Sequence, residues 1–137
     1  MQKLYTATAS AIGGREGRVQ TSDNFLDLAI EMPKALGGRG GEGTNPEQLF
    51  AAGYAACFDS ALNLVARTER EKIGQTKVTS HVSIGKDDSG FGLSVVLEVH
   101  IPEVSEERAM ELVQKAHGVC PYSKAVKGNI EVELKIV

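Results

Sequence analysis

From Leu49 to Phe58 the chain carries no charged residue: Leu49-Phe50-Ala51-Ala52-Gly53-Tyr54-Ala55-Ala56-Cys57-Phe58. A helix that is apolar nearly all round belongs inside a protein, so the rest of the chain has to enclose it. Asn45-Pro46-Glu47 stands directly before the run. Asn caps a helix, Pro suits its first turn, and Glu there faces the positive end of the dipole. The pattern predicts a helix from 46 to about 70 that turns polar after Arg67, through Thr68-Glu69-Arg70-Glu71-Lys72. Gly53 and the alanines let other backbones approach closely, and Gly53 is the weak point at which such a helix would bend.

The flanking sequence supplies strands. Residues 3 to 11 and 18 to 22 surround the turn Gly13-Gly14-Arg15-Glu16-Gly17 and read as a β-hairpin. Leu26, Leu28, Ile30 and Met32 alternate with Asp27, Ala29 and Glu31, the period of a half-buried strand. Val78, Ser80, Val82 and Ile84 repeat the pattern. So do Phe91, Leu93, Val95, Leu97, Val99 and Ile101, with a hairpin loop between the two runs. Ser105-Glu106-Glu107 begins a second helix with Ala109, Leu112, Val113 and Ala116 on its apolar face. It stops near Gly118, and Pro121 prevents its continuation. Ile130, Val132, Leu134 and Ile136 form a last strand. Tight turns between neighbouring strands imply antiparallel pairing. The expected fold is α+β, a mostly antiparallel sheet packed on a long apolar central helix. With 137 residues, one domain spanning 1–137 is expected. Six short strands do not obviously enclose that helix alone, so a homodimer is expected to bury the remainder.

A net charge of -3 does not draw the chain to phosphate backbones or anionic membranes. Met1 to Thr8 has no long apolar core, so no signal peptide is expected, and no apolar run reads as long enough to span a bilayer. The expected location is the cytosol. Structural disulfides are rare there, and a cysteine pair that does bond is usually catalytic or sensing.

Cys57 and Cys120 are the only cysteines. Cys57 lies in the apolar run, on the stripe Leu49, Gly53, Cys57, Ala61 and Leu64 that follows helical spacing, where a free thiol often serves as a small hydrophobe and burial raises its pKa. To act as a nucleophile it needs a cation to hold it as thiolate. Arg67 is roughly 15 Å away at helical rise, so the cation has to come from a loop. Arg15, Arg18 and Arg39 all sit in glycine-rich turns, and Arg15 is the most attractive because glycines flank it. Glu47 can orient such an arginine through a bidentate contact, or simply favour the first helical turn. Residues 47 and 57 are also roughly 15 Å apart on a regular helix, so a shared site needs a long arginine, a bend or a second subunit. Cys120 stands in the turn-like stretch Val119-Cys120-Pro121-Tyr122-Ser123, where a thiol has the mobility a resolving cysteine needs. Two further readings rank lower. A structural zinc site around Cys57, His117 and Cys120 wants four ligands, and no C-x-x-C or second His pair supplies them. Gly38, Gly40 and Gly43 spell G-x-G-x-x-G, but the preceding strand ends too early for a dinucleotide turn, which leaves a mobile surface loop.

Three segments together closely resemble the organic hydroperoxide resistance proteins, within the larger superfamily of osmotically inducible protein C. They are Gly13-Gly14-Arg15-Glu16-Gly17-Arg18, Thr44-Asn45-Pro46-Glu47 running on through Cys57-Phe58, and Val119-Cys120-Pro121-Tyr122-Ser123. The resemblance covers essentially the whole chain in order. It implies a bacterial, cytosolic, homodimeric thiol peroxidase with intertwined subunits and active sites at the interface. By motif match Cys57 is the peroxidatic thiol and Cys120 the resolving thiol, Arg15 activates Cys57, and Glu47 holds Arg15. The resemblance further implies organic and fatty-acid hydroperoxides as substrates, no bound cofactor, and a protein-bound dihydrolipoyl dithiol as reductant. The rival is a redox-sensing or small-apolar-ligand module without turnover.

Overall fold

The structure is a computed structural model that describes all residues from Met1 to Val137. Two compact units divide the chain, Met1–Leu49 and Phe50–Val137.

The first unit is built on a three-stranded antiparallel sheet of β1 (Ala9–Ile12), β2 (Arg18–Thr21) and β3 (Asp27–Ala29), in that order. The glycine-rich turn between β1 and β2 closes as a single 3-10 turn, Gly14–Glu16. Gly13 (φ 81°) and Gly14 (φ 56°) take the left-handed conformation that only glycine adopts without cost. A side chain on Gly17 would run into the Ile12 carbonyl oxygen, so the backbone crosses itself there at close range. This unit buries almost nothing: Tyr5, Ile12 and Phe25 are 82%, 81% and 89% exposed, and Ile30 is its one buried hydrophobic residue. The glycine-rich segment after β3, expected to move freely, is instead fastened. A parallel bridge pairs Ile30 with Thr44 beside it, the Glu31 N–H donating to the Thr44 carbonyl and the Thr44 N–H to the Ala29 carbonyl, and the Glu31 carboxylate accepts the Gly43 N–H at 3.1 Å.

The helix α1 runs from Pro46 to Thr68. Asn45 caps it as predicted, its side-chain oxygen accepting the Gln48 N–H at 2.8 Å. The residues from Phe50 onward belong to the second unit. There the sheet order is β4 (Lys77–Asp87), β5 (Gly90–His100), β6 (Val132–Ile136). β4 and β5 form the expected antiparallel hairpin. β6 lies parallel to β5, pairing Val95 with Val132 and Val99 with Ile136. Parallel pairing needs a long crossover, here supplied by α2 (Glu106–Val119) and α3 (Pro121–Val126). The architecture is α+β with two mostly antiparallel sheets.

The core of the second unit gathers Tyr54, Phe58, Ala61, Leu62, Val65 and Ala66 from α1. Val95, Leu97 and Val99 come from β5, and Ala109, Leu112, Val113 and Ala116 from α2. The α2 face is that read from the sequence, as is the β5 alternation from Leu93 onward, but Phe91 is 73% exposed. The α1 face is rotated from the expected stripe of Leu49, Gly53, Cys57, Ala61 and Leu64: Leu64 is 52% exposed, whereas Tyr54, Phe58 and Leu62 are wholly buried. An all-apolar run has no polar side to fix its orientation, so tertiary packing chose it. By length and composition alone, α1 is long and apolar enough to cross a membrane, contrary to the sequence expectation. Six of its residues, Tyr54, Phe58, Ala61, Leu62, Val65 and Ala66, lie in this core.

Candidate functional site

Arg15 and Glu47 meet within the first unit. The Arg15 guanidinium donates from Nη1 to Glu47 Oε2 at 2.8 Å and from Nη2 to Glu47 Oε1 at 2.7 Å, a two-pronged contact. Glu47 is brought there by its place in the first turn of α1, Arg15 by the glycine turn. The hydrogen bond from Arg15 holds the Glu47 carboxyl below the usual carboxylate range, and the reciprocal bond raises the guanidinium pKa. Both groups are therefore charged at neutral pH. The other two candidates do not share this contact. Arg18 donates to Asp27 across the β2–β3 ladder, and Arg39 lies exposed.

Cys57 and Cys120 meet within the second unit, with Sγ atoms 3.7 Å apart and both thiols free. Their separation in sequence is bridged by the α2–α3 crossover. Cys57 is half-buried on α1, while Cys120 is completely buried. The mobile turn expected around Cys120 is not found. Val119-Cys120-Pro121 is a sharp corner between two helices, in which Cys120 ends α2 and caps α3. Pro121 stops the first helix, as expected, but also starts a second one, because its fixed φ and missing N–H suit a first helical position. Closing the sulfurs to the roughly 2.0 Å of a disulfide is a small movement of a well-packed corner.

Burial pushes the Cys57 thiol up from its ordinary value, as does Cys120 through its hydrogen bond and charge, while the backbone N–H of Tyr122 pulls it down. Burial and Cys120 together therefore favour the protonated thiol of Cys57.

Around the thiols lies an aromatic cluster. Phe50 packs edge-on against Tyr54 and Tyr122, with ring centroids 6.2 and 6.1 Å away, and Tyr54 packs on Tyr122 at 5.6 Å. A Cβ on Gly53 would sit 2.5 Å from the Tyr122 hydroxyl. Gly53 therefore makes room for a ring, and α1 runs on through it as one helix. Phe50 is half-buried against Tyr54 and Tyr122, whereas Phe58 is wholly interior.

Sequence reasoning missed one constellation. The Tyr54 hydroxyl lies 2.7 Å from Ser123 Oγ, and His117 Nδ1 lies 2.8 Å from the same oxygen. Burial chiefly, and the charge of Lys127, lower the His117 pKa, so its imidazole is neutral at pH 7. Burial raises the Tyr54 pKa. The signal was present in the spacing: residues 54, 117 and 123 each stand three positions from a cysteine.

The OsmC-like protein family model matches residues 38–135. The organic hydroperoxide resistance protein OhrA of Bacillus subtilis is 58% identical, over 98% of this chain and 97% of its own. The organic hydroperoxide resistance protein of Xanthomonas axonopodis pv. citri is 52% identical, over 97% and 94%. Among solved structures, the organic hydroperoxide resistance protein of Elizabethkingia anophelis superimposes with a TM-score of 0.94 at 52% identity, covering 99% of this chain and 98% of that one. OhrB of Bacillus subtilis does so with 0.91 at 46% identity, covering 98% and 100%. The α+β arrangement built above is thus the arrangement of these structures, and the chain belongs to the OsmC-like family, in its organic hydroperoxide resistance branch.

Proposed function

We propose that the protein is a cysteine-based peroxidase that reduces organic and fatty-acid hydroperoxides to alcohols and so acts in resistance to them. One observation carries this reading: a half-buried thiol and a completely buried one lie 3.7 Å apart, both reduced, among aromatic side chains. Relatives named for organic hydroperoxide resistance support the substrate class.

In the proposed cycle the Cys57 thiolate attacks the distal oxygen of ROOH. The O–O bond breaks, ROH departs with a proton, and Cys57 is left as a sulfenic acid. Cys120 attacks that sulfur, a disulfide forms, and water leaves before further oxidation. A dihydrolipoyl dithiol on a partner protein then reopens the disulfide by exchange. Phe50 and the Tyr122 ring offer apolar surface for an alkyl chain, worth about 0.8 kcal/mol per buried CH₂, from which hydrogen peroxide gains nothing.

Because burial and Cys120 favour the protonated thiol of Cys57, a cation is essential to this chemistry. Arg15 is assigned that role, with Glu47 orienting it. The guanidinium stabilises the thiolate and the charge developing on the departing oxygen. We assign the working form as a homodimer, supported by the uncovered apolar residues of the first sheet, and its location as the cytoplasm, where such a thiol pair stays reduced between turnovers.

The test is consumption of cumene hydroperoxide with dihydrolipoamide as reductant. Many turnovers per chain, much faster than with hydrogen peroxide, are expected. A single stoichiometric oxidation followed by no turnover would instead identify a redox sensor, the reading favoured if the upward push on Cys57 is never relieved.

A further inference from the structure

Ser123 is 2% exposed, and its hydroxyl touches two other side chains at once. Tyr54 comes from α1, His117 from α2 and Ser123 from α3. Three helices are fastened at one oxygen. A hydroxyl has one hydrogen and two lone pairs, so the chain satisfies every member when Tyr54 donates to Ser123 and Ser123 donates to Nδ1 of a neutral His117. Burial keeps His117 in that neutral form.

The position of these residues gives the chain its meaning. Residues three apart on a helix share a face, so Tyr54 lies beside Cys57. His117 precedes Cys120 by one turn of α2, and Ser123 follows it by three positions in α3. Cys120 itself sits at the corner between the two helices, and its thiol has one hydrogen-bond partner, Cys57. That thiol contact vanishes at each oxidation. The corner is held to α1 by the hydroxyl chain, none of whose members makes or breaks a bond in the proposed cycle.

We propose that the Tyr54–Ser123–His117 hydrogen-bond chain is a latch that positions Cys120 against Cys57 and so sets the rate and the equilibrium of disulfide closure. All three are positioning residues. In the step they serve, Cys120 sulfur displaces hydroxide from the Cys57 sulfenic sulfur: the S–S bond forms, the S–O bond breaks, and the Cys120 proton leaves with the hydroxide as water. The inference rests on the peroxidase reading for its oxidant alone, since the same disulfide also forms by exchange with a small disulfide. Displacement of a reacting group by about 1 Å can cost a hundredfold, so a corner free to drift closes poorly.

The experiment equilibrates the full-length protein with mixtures of reduced and oxidised dithiothreitol and measures the Cys57–Cys120 disulfide fraction. Tyr54→Phe removes one oxygen and keeps the ring. Ser123→Ala and His117→Leu break the chain at its other links. His117→Asn restores an acceptor, its side-chain oxygen, near the Nδ1 position. The first three are expected to lose about tenfold in the closure equilibrium, about 30 mV toward a more oxidising potential. His117→Asn is expected to stay within about twofold of wild type, and circular dichroism to show all four folded. Folded Tyr54→Phe and Ser123→Ala proteins with the wild-type equilibrium overturn the latch. A wild-type protein that forms this disulfide with oxidised dithiothreitol yet consumes no hydroperoxide overturns the peroxidase reading and leaves the latch result standing.

Discussion

At the scale of single residues, the chemistry turns on where protons sit. Cys57 in its own unit favours the thiol, and Arg15 and Glu47 are both charged. Replacing Arg15 by Ala is expected to slow the first oxidation about 10²- to 10³-fold, the usual cost of removing one preorganised charge-stabilising donor. Arg15→Lys should recover only part of it, because an ammonium keeps the charge but loses the two-pronged grip on Glu47. Stopped-flow oxidation by cumene hydroperoxide measures both, and an Arg15→Ala rate equal to wild type would end the activating role. Cys120→Ser should still form one sulfenic acid per chain, then pass to sulfinic acid with excess peroxide, as read by mass spectrometry. Unaltered steady-state turnover in that variant would remove Cys120 from the cycle.

At the scale of elements, small structural devices set these residues in place. The Asn45 cap begins α1 two residues before Glu47 and satisfies an otherwise orphaned N–H. Asn45→Ala is expected to cost about 1 kcal/mol, seen as a lower denaturation midpoint with an unchanged slope. The α2–α3 corner explains why Cys120 is buried yet close to its partner. Its geometry was only half legible. Val119-Cys120-Pro121 announces the end of a helix, but six residues after a proline carry too little periodicity to reveal the helix that follows. The rotation of α1 was equally hidden, since ten uncharged residues show no face. By contrast α2 has charges on one side only, and its apolar set of Ala109, Leu112, Val113 and Ala116 is the buried set.

At the scale of the molecule, two features await a partner or a titration. The first 49 residues are too few for a self-sufficient core and leave Tyr5, Ile12 and Phe25 in solvent. On the homodimer reading, sedimentation should give two chains at micromolar concentration, and the double change Ile12→Asp with Phe25→Asp should give monomers with little turnover. A monomeric wild type with full activity would count against that reading. Acid stability has a definite sign. The Glu47 carboxyl titrates below its ordinary 4.5 in the folded protein. Its contribution is complete above that pH and is lost as pH falls through the lower folded value. Glu69, held down chiefly by Lys115 and then by Arg108, adds the same sign. Unfolding followed from pH 6 to pH 2 should show stability declining below about 4.5. Glu47→Gln should flatten that decline; an unchanged slope would mean the pair adds nothing.

The sequence alone determined most of the elements, α3 excepted, and the candidate reacting groups. Hydrophobic period fixes which residues can line a strand or a helix, and two cysteines, an arginine between glycines and a glutamate in a first helical turn can be read without coordinates. Tertiary structure decided what touches what. It turned α1 so that Tyr54 and Phe58 face inward, brought the two sulfurs together around a helical corner, and joined Tyr54, Ser123 and His117 at one oxygen. Contacts between residues 63 or 69 positions apart depend on the path of the whole crossover, which no local pattern encodes.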